Sequence, residues 1–199
     1  MVNRIYVKIC GLTTREAVDA ASDAGADAVG VVLSPSPRQL DSEQAKKLIG
    51  LVPPSTATVV VTRQPPDDFV SSVLTELAPA WWQSDRDDLV GKTLPAGIRA
   101  LPVIRVGEDV STLPQWFVYE GVQSGAGNKV DWNNAATLAR RGRLILAGGL
   151  DADNVGEAIH QVKPYGVDVS SGVESAPGEK DPHRIREFIT AVRRAESGL

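Results

Sequence analysis

The sequence predicts an α/β fold, a single-domain (β/α)8 barrel over residues 1–199, and three observations carry that expectation. Eight short, β-branched runs alternate with longer helical patterns from one end of the chain to the other. Such alternation implies parallel pairing with right-handed crossovers, because each helix must return the chain to the same edge of the sheet. An open doubly wound sheet fits less well, since Ile9-Cys10-Gly11-Leu12-Thr13 lacks the second and third glycines of the phosphate turn that usually follows its first strand. At roughly 25 residues per unit, the barrel is compact beside the roughly 250 residues typical of the fold.

The first strand is expected over residues 4–10, and the helix at 14–24 opens on Thr13 or Thr14 ahead of Glu16. Strand two, 28–33, leads to a helix at 42–51 with Asp41 in the capping position. Strand three, 57–62, leads through Pro65 and Pro66 to a helix at 67–77. Strand four, 80–84, and strand five, 101–106, are joined through a weak helical pattern at 86–93. A second weak pattern, at 109–114, precedes strand six, 116–121. A helix at 135–141 connects to strand seven, 144–147, and one at 153–162 connects to strand eight, 166–170, with Asp151 and Asp153 read as its caps. The last helix, 182–195, starts with Asp181 before Pro182. Neither a linker nor a low-complexity stretch interrupts this order.

Composition narrows the function classes. The formal charge of -4, from 21 Lys+Arg against 25 Asp+Glu, offers no basic excess to neutralise a nucleic-acid backbone, so no nucleic-acid partner is expected. One cysteine and two histidines preclude an internal disulfide and a Cys/His zinc site; a reducing, cytoplasmic setting is expected, with no metal. The start, MVNRIYVKICGLTT, lacks the features of a secretory signal, and no apolar run approaches bilayer-spanning length.

In a barrel of this kind chemistry sits where the strands end. Gly148 with Gly149, and Ser170 with Ser171 and Gly172, follow strands seven and eight, where glycines and helix N-termini can hold a phosphate; the same residues also suit tight turns. Lys8 and Cys10 share one strand face, so the ammonium would lower the thiol pKa unless Asp168, on the neighbouring eighth strand, neutralises it. A lone cysteine reads equally as a small buried hydrophobe. Glu120 ends strand six; burial would raise its pKa and make it a proton donor, whereas a rim position would leave it in water. Arg38, after Ser34-Pro35-Ser36-Pro37, could grip a substrate carboxylate or lie solvated. One of Trp81 and Trp82 should point into the barrel and the other toward the helices. His160 and His183 fall on helices away from the mouth.

The chain resembles the phosphoribosylanthranilate isomerases of tryptophan biosynthesis, essentially from end to end. The resemblance lies in Lys8-Ile9-Cys10-Gly11-Leu12-Thr13, in Gly25-Ala26-Asp27-Ala28-Val29-Gly30, in Ser36-Pro37-Arg38 and in Leu146-Ala147-Gly148-Gly149-Leu150 followed by Asn154-Val155. It continues in Val167-Asp168-Val169-Ser170-Ser171-Gly172-Val173-Glu174 and Pro177-Gly178-Glu179-Lys180-Asp181. It implies a TIM barrel catalysing the Amadori rearrangement of N-(5-phosphoribosyl)anthranilate to 1-(2-carboxyphenylamino)-1-deoxyribulose 5-phosphate. It further implies no cofactor, a small phosphosugar as partner, and a monomer or homodimer. Cys10 would be the general base at ribose C2, and the acid ending strand six, Glu120, would protonate the ring oxygen. Arg38, Gly148, Gly149, Asp168, Ser170, Ser171 and Gly172 would bind substrate.

The sequence departs from that pattern in three places. Glu120 stands where the family usually has aspartate. Trp82-Gln83-Ser84-Asp85 stands where it commonly reads Gln-Leu-His-Gly, and residues 124–132 alter its glycine-rich segment. Two alternatives stay open: an isomerase of the histidine-pathway aminoaldose, and a barrel that binds phosphate with impaired catalysis.

Overall fold

The computed structural model describes residues 4–121 and 130–198, apart from the side chain of Phe69. Eight parallel strands close in sequence order: β1 (Tyr6–Cys10), β2 (Ala28–Val32), β3 (Ala57–Val61), β4 (Trp81–Asp85), β5 (Arg99–Arg105), β6 (Trp116–Glu120), β7 (Arg143–Leu146) and β8 (Gly166–Val169). β8 returns to β1 with Lys8 opposite Asp168, which completes the ring and leaves no open edge among these strands.

The helices α1 (Arg15–Asp23), α2 (Ser42–Ile49), α3 (Asp67–Leu77), α4 (Arg86–Leu89), α5 (Trp132–Ala139), α6 (Val155–Val162) and α7 (Pro182–Glu196) lie between and after the strands. Their starts follow the chemistry of the sequence. Thr14 Oγ1 accepts from Ala17 N, Asp41 forms a reciprocal capping box with Gln44, and Asp181 caps α7 ahead of Pro182. At α6 the N-cap position is held by Asn154, and neither Asp151 nor Asp153 occupies it; Asp151 Oδ1 accepts from Asp153 N and Asn154 N in the turn just before the helix.

One element differs from the sequence expectation, and one was not foreseen. Residues 109–114 form no helix, whereas the weak 86–93 pattern yields the single helical turn it allowed, α4. Beyond β8 the chain makes a short 3-10 turn at Ser171–Val173 and then a two-stranded hairpin, β9 (Glu174–Ala176) with β10 (Glu179–Lys180). That hairpin lies inside a segment whose charged residues carry no alternating apolar signal.

Period-two alternation sorts the strand residues into two apolar layers. Val59, Trp81, Leu101, Val103, Val118 and Ile145 fill the barrel interior. Val7, Ile9, Val60, Trp82, Phe117 and Leu144 face the helices in the larger layer. Trp81 thus points inward and Trp82 outward, where its indole N–H donates to Thr62 Oγ1 at 2.7 Å. No helix among the described residues is long and apolar enough to cross a membrane.

Candidate active site

A cavity of about 190 Å³ opens at the C-terminal ends of the strands. Its wall includes Cys10, Arg38, Glu120, Gly148, Gly149, Asp168, Ser170 and Ser171, so eight of the nine sequence-predicted site residues converge there. Gly172 stands behind the wall: a Cβ on it would collide with the Leu150 carbonyl oxygen, which makes it the close-packing point between the loops after β7 and β8. A larger cavity of about 800 Å³ opens at the opposite mouth, lined by Trp81, Arg99 and Trp116. The carboxylate there, Asp27, is committed to Arg193, at 3.2 Å, to Arg4 and to the Val7 N–H. Neither Cys10 nor Glu120 lines that mouth.

Cys10 ends β1 with its side chain turned inward, the thiol buried. Gly30, its partner on β2, gives it room, since a Cβ there would stand 3.1 Å from Sγ. One layer below, Lys8 Nζ donates to Asp168 Oδ2 at 2.8 Å, and both side chains are buried. Burial works against the Lys8 ammonium, but Asp168 more than compensates and holds it charged. The thiol itself is pushed above its ordinary value, chiefly by burial; Lys8 pulls it down and Asp168 pushes it up again. The sequence left two outcomes open for this thiol, and burial together with the Asp168 carboxylate that the β1–β8 register sets beside Lys8 decides for the higher value. Above Cys10, Ser170 Oγ donates to its carbonyl at 3.0 Å, and Lys180 Nζ donates to Ser170 O at 2.8 Å.

Arg38 is neither solvated nor unpaired. Its Nε and Nη2 donate to Glu174 Oε1 and Oε2 at 2.6 and 2.9 Å, a bidentate fork that leaves Nη1 as the nitrogen neither bond uses. Lys180 reaches the same carboxylate at 2.5 Å. Burial raises the Glu174 pKa, but Arg38 and Lys180 outweigh it and hold the carboxyl below its ordinary range. Gly11, at φ +75°, packs on the Arg38 stem, where a Cβ would lie 2.6 Å from Cδ.

The loop after β7, expected to hold phosphate, turns on its two glycines. Gly148 and Gly149 have φ values of 95° and 66°, a left-handed pair that turns the backbone sharply at the mouth. Asn154 Nδ2 ties down Gly149 O at 2.8 Å. In the turn that leads into α6, Asp153 N and Asn154 N both donate to Asp151 Oδ1.

Sequence reasoning missed the partners of Glu120. Arg105 Nη1 donates to Glu120 Oε1 at 2.6 Å, Arg105 Nη2 donates to Asp85 Oδ1 at 2.5 Å, and Arg63 Nε lies 3.3 Å from Asp85 Oδ2. Burial works to lower the Arg105 pKa, but Glu120 and Asp85 raise it further than burial lowers it. A signal was available: Arg105 ends strand five as Glu120 ends strand six, and adjacent parallel strands bring such ends together. His160 and His183 lie on α6 and α7, His160 bonded to Gly156 O of its own helix. The altered segment at 124–132 falls largely outside the described residues.

A closed ring of eight parallel strands, with a cysteine and a buried carboxyl on one cavity at its C-terminal mouth, defines a (β/α)8-barrel enzyme equipped for proton transfer. The sequence model of N-(5'-phosphoribosyl)anthranilate isomerases matches residues 7–191. The enzyme of that name from Magnetococcus marinus is 40% identical, covering 98% of both chains, and that from Streptococcus pneumoniae is 38% identical over 96% of this chain and 98% of that one. The phosphoribosylanthranilate isomerase of Thermus thermophilus superposes with a TM-score of 0.83 at 28% identity, covering 96% of this chain and 99% of that one. A phosphoribosylanthranilate isomerase solved with reduced 1-(o-carboxyphenylamino)-1-deoxyribulose 5-phosphate superposes at 0.80 with 30% identity, over 98% of this chain and 100% of that one. The chain belongs to the phosphoribosylanthranilate isomerase family, and it is an aldose-ketose isomerase.

Proposed function

We propose that the chain, acting as one barrel domain in the cytoplasm, converts N-(5-phosphoribosyl)anthranilate to its 1-deoxyribulose isomer in tryptophan biosynthesis. Cys10 serves as general base and Glu120 as general acid. The observation that carries this reading is that both side chains open onto one buried cavity from opposite sides of the ring, β1 and β6. Protonation of the ring oxygen by Glu120 releases it from C1 while the anilino nitrogen supplies the electron pair. The Cys10 thiolate then removes the C2 proton, and the resulting enolamine tautomerises to the ketone. The hydrogen moves within the substrate and the net redox state is unchanged, so the reaction calls for no cofactor.

Arg38, steadied by Glu174, turns its remaining Nη1 toward the anthranilate carboxylate. Gly148, Gly149, Ser170 and Ser171 receive the phosphate, Asp168 binds the ribosyl part while balancing Lys8, and Gly172 acts by keeping the two phosphate loops together. The working unit is a monomer or homodimer, and nucleic acid has no part in the reaction. The family match leaves the histidine-pathway isomerase and the impaired binding barrel without support of their own. A fluorescence assay of phosphoribosylanthranilate consumption tests the assignment. Cys10→Ala and Glu120→Gln should each lose about 10²–10⁴-fold in turnover while staying folded. Residual activity near wild type in either variant, or faster turnover of the histidine-pathway aminoaldose, would overturn it.

A further inference from the structure

Four consecutive strand ends carry one charged side chain each, and the signs alternate around the rim. Arg63 follows β3, Asp85 ends β4, Arg105 ends β5 and Glu120 ends β6. Their contacts form a chain at 3.3, 2.5 and 2.6 Å, and all four residues line the cavity. Parallel register brings this about: Arg105 pairs with Glu120 across β5–β6, and Asp85 pairs with Val103, two residues before Arg105, across β4–β5. The Arg63 end is tied in turn to the loop after β2, because Ser34 Oγ accepts from Arg63 N at 2.7 Å and donates to Arg63 O. Such a row of ion pairs fixes a terminal carboxyl in place more firmly than one pair does, since the Arg105 guanidinium is held at a second point by Asp85.

We propose that Arg105, anchored from behind by Asp85, is the positioning residue for Glu120: it sets where the acid's carboxyl sits over the substrate and how strongly that carboxyl holds its proton. This inference rests on the reading of Glu120 as the general acid. A glutamate has one more rotatable methylene than an aspartate, so its head can sweep a wider arc, and a second attachment is the means of confining it. Arg105 supplies that attachment, with both of its Nη nitrogens engaged. Asp85 has a second task. By sharing the Arg105 charge it limits how far the guanidinium stabilises the ionised carboxylate, which matters because an acid that never holds a proton cannot donate one.

Among the described residues, the charged and titratable groups facing Glu120 include Arg105 from β5, Asp85 from β4 and Arg63 beyond it; Cys10, Asp168 and Arg38 share the cavity. Among these, Arg105 and Asp85 can be altered without touching the base or the phosphate loops. Removing Arg105 takes away a neighbouring positive charge and raises the proton affinity of Glu120. Removing the Asp85 charge leaves Arg105 unshared and lowers it.

The test pairs a spectroscopic readout with kinetics. The Glu120 carboxyl is titrated by ¹³C NMR in protein labelled at glutamate side chains, assigned by comparison with Glu120→Gln. Arg105→Gln should move that titration up by about one pH unit or more, and Asp85→Asn should move it down by about half a unit. Arg105→Gln should also lower kcat by about tenfold to a hundredfold with KM within about threefold, and Arg105→Lys should recover part of the loss. Should Arg105→Gln not fold, Asp85→Asn carries the test alone by the sign of its shift. A Glu120 titration unmoved in both variants, or moved in the same direction by both, overturns the proposal, as does an Arg105→Gln kcat equal to wild type. Opposite shifts in a wild-type protein that fails to isomerise phosphoribosylanthranilate would support the charge coupling and instead sink the functional reading beneath it.

Discussion

Replacing Lys8 with methionine isolates the interaction on which the floor of the cavity depends. The Lys8 side chain is 0% exposed and that of Asp168 7%, with 2.8 Å between Nζ and Oδ2. Methionine fills nearly the same volume, so the substitution removes a charge while leaving little cavity. It leaves Asp168 ionised, buried and without its ammonium partner. Loss of one member of such a pair costs about 3–5 kcal/mol, because the remaining charge keeps its desolvation penalty and loses the attraction that offset it. For a chain of this length, each kcal/mol lowers Tm by roughly 2–4 °C, which gives a drop of about 6–20 °C. Urea unfolding at pH 7, followed by far-UV circular dichroism, measures the deficit. The variant has one way to escape the penalty, by protonating Asp168, and the sign of that effect can be stated in advance. With its folded-state pKa raised above the unfolded value of about 3.9, Asp168 binds more protons when folded, so the deficit narrows toward pH 5 and widens toward pH 8. The double variant Lys8→Met with Asp168→Leu removes both charges and should recover most of the loss. A single-variant deficit below about 1 kcal/mol at pH 7, or one that ignores pH, would refute the claim that this pair holds the floor together.

Two further perturbations address other parts of the site. Gly172→Ala should destabilise the protein and weaken phosphate-bearing ligands together, since the added Cβ pushes the loop after β8 off the Leu150 carbonyl; calorimetric titration with inorganic phosphate beside thermal unfolding checks it, and unchanged values in both would contradict it. Glu174 has a folded-state pKa held below its ordinary value, so its contribution to stability is complete above the unfolded value near pH 4.3 and disappears as pH falls through the lower folded value. Glu174→Gln should therefore flatten the acid side of the stability curve, and a wild-type acid slope in that variant would show that the Arg38–Glu174–Lys180 group is not its source.

The raised thiol has a kinetic consequence for the proposed reaction. Burial moves the Cys10 thiol above its ordinary range. The thiolate that the base step needs is then scarcer than it would be for an ordinary thiol. Groups that shift this titration change the rate through that population, which is why the Lys8 neighbourhood matters beyond holding side chains in place.

Much of this protein is legible in its sequence because the relevant signals are local or periodic. Period-two runs between capped helices name the eight strands, since a strand enclosed by helices must be apolar on the face it turns to them. Alternation along residues 6–10 turns Lys8 and Cys10 inward together. The adjacency of the first and last strands in any closed ring then brings Asp168 to Lys8, so the buried pair could be anticipated without coordinates. The tertiary structure alone decided what depends on register and on approach between distant loops. Register set Arg105 against Glu120 and Asp85, the approach of the loop after β2 to β9 gave Arg38 a carboxylate partner in Glu174, and the closed barrel buried the thiol deeply enough to raise it. The physical reason is one of range. Backbone preference is written within a few residues, whereas the partner of a charge at a strand end depends on the stagger of the whole ring, and the energy of that charge depends on how much water the finished barrel excludes.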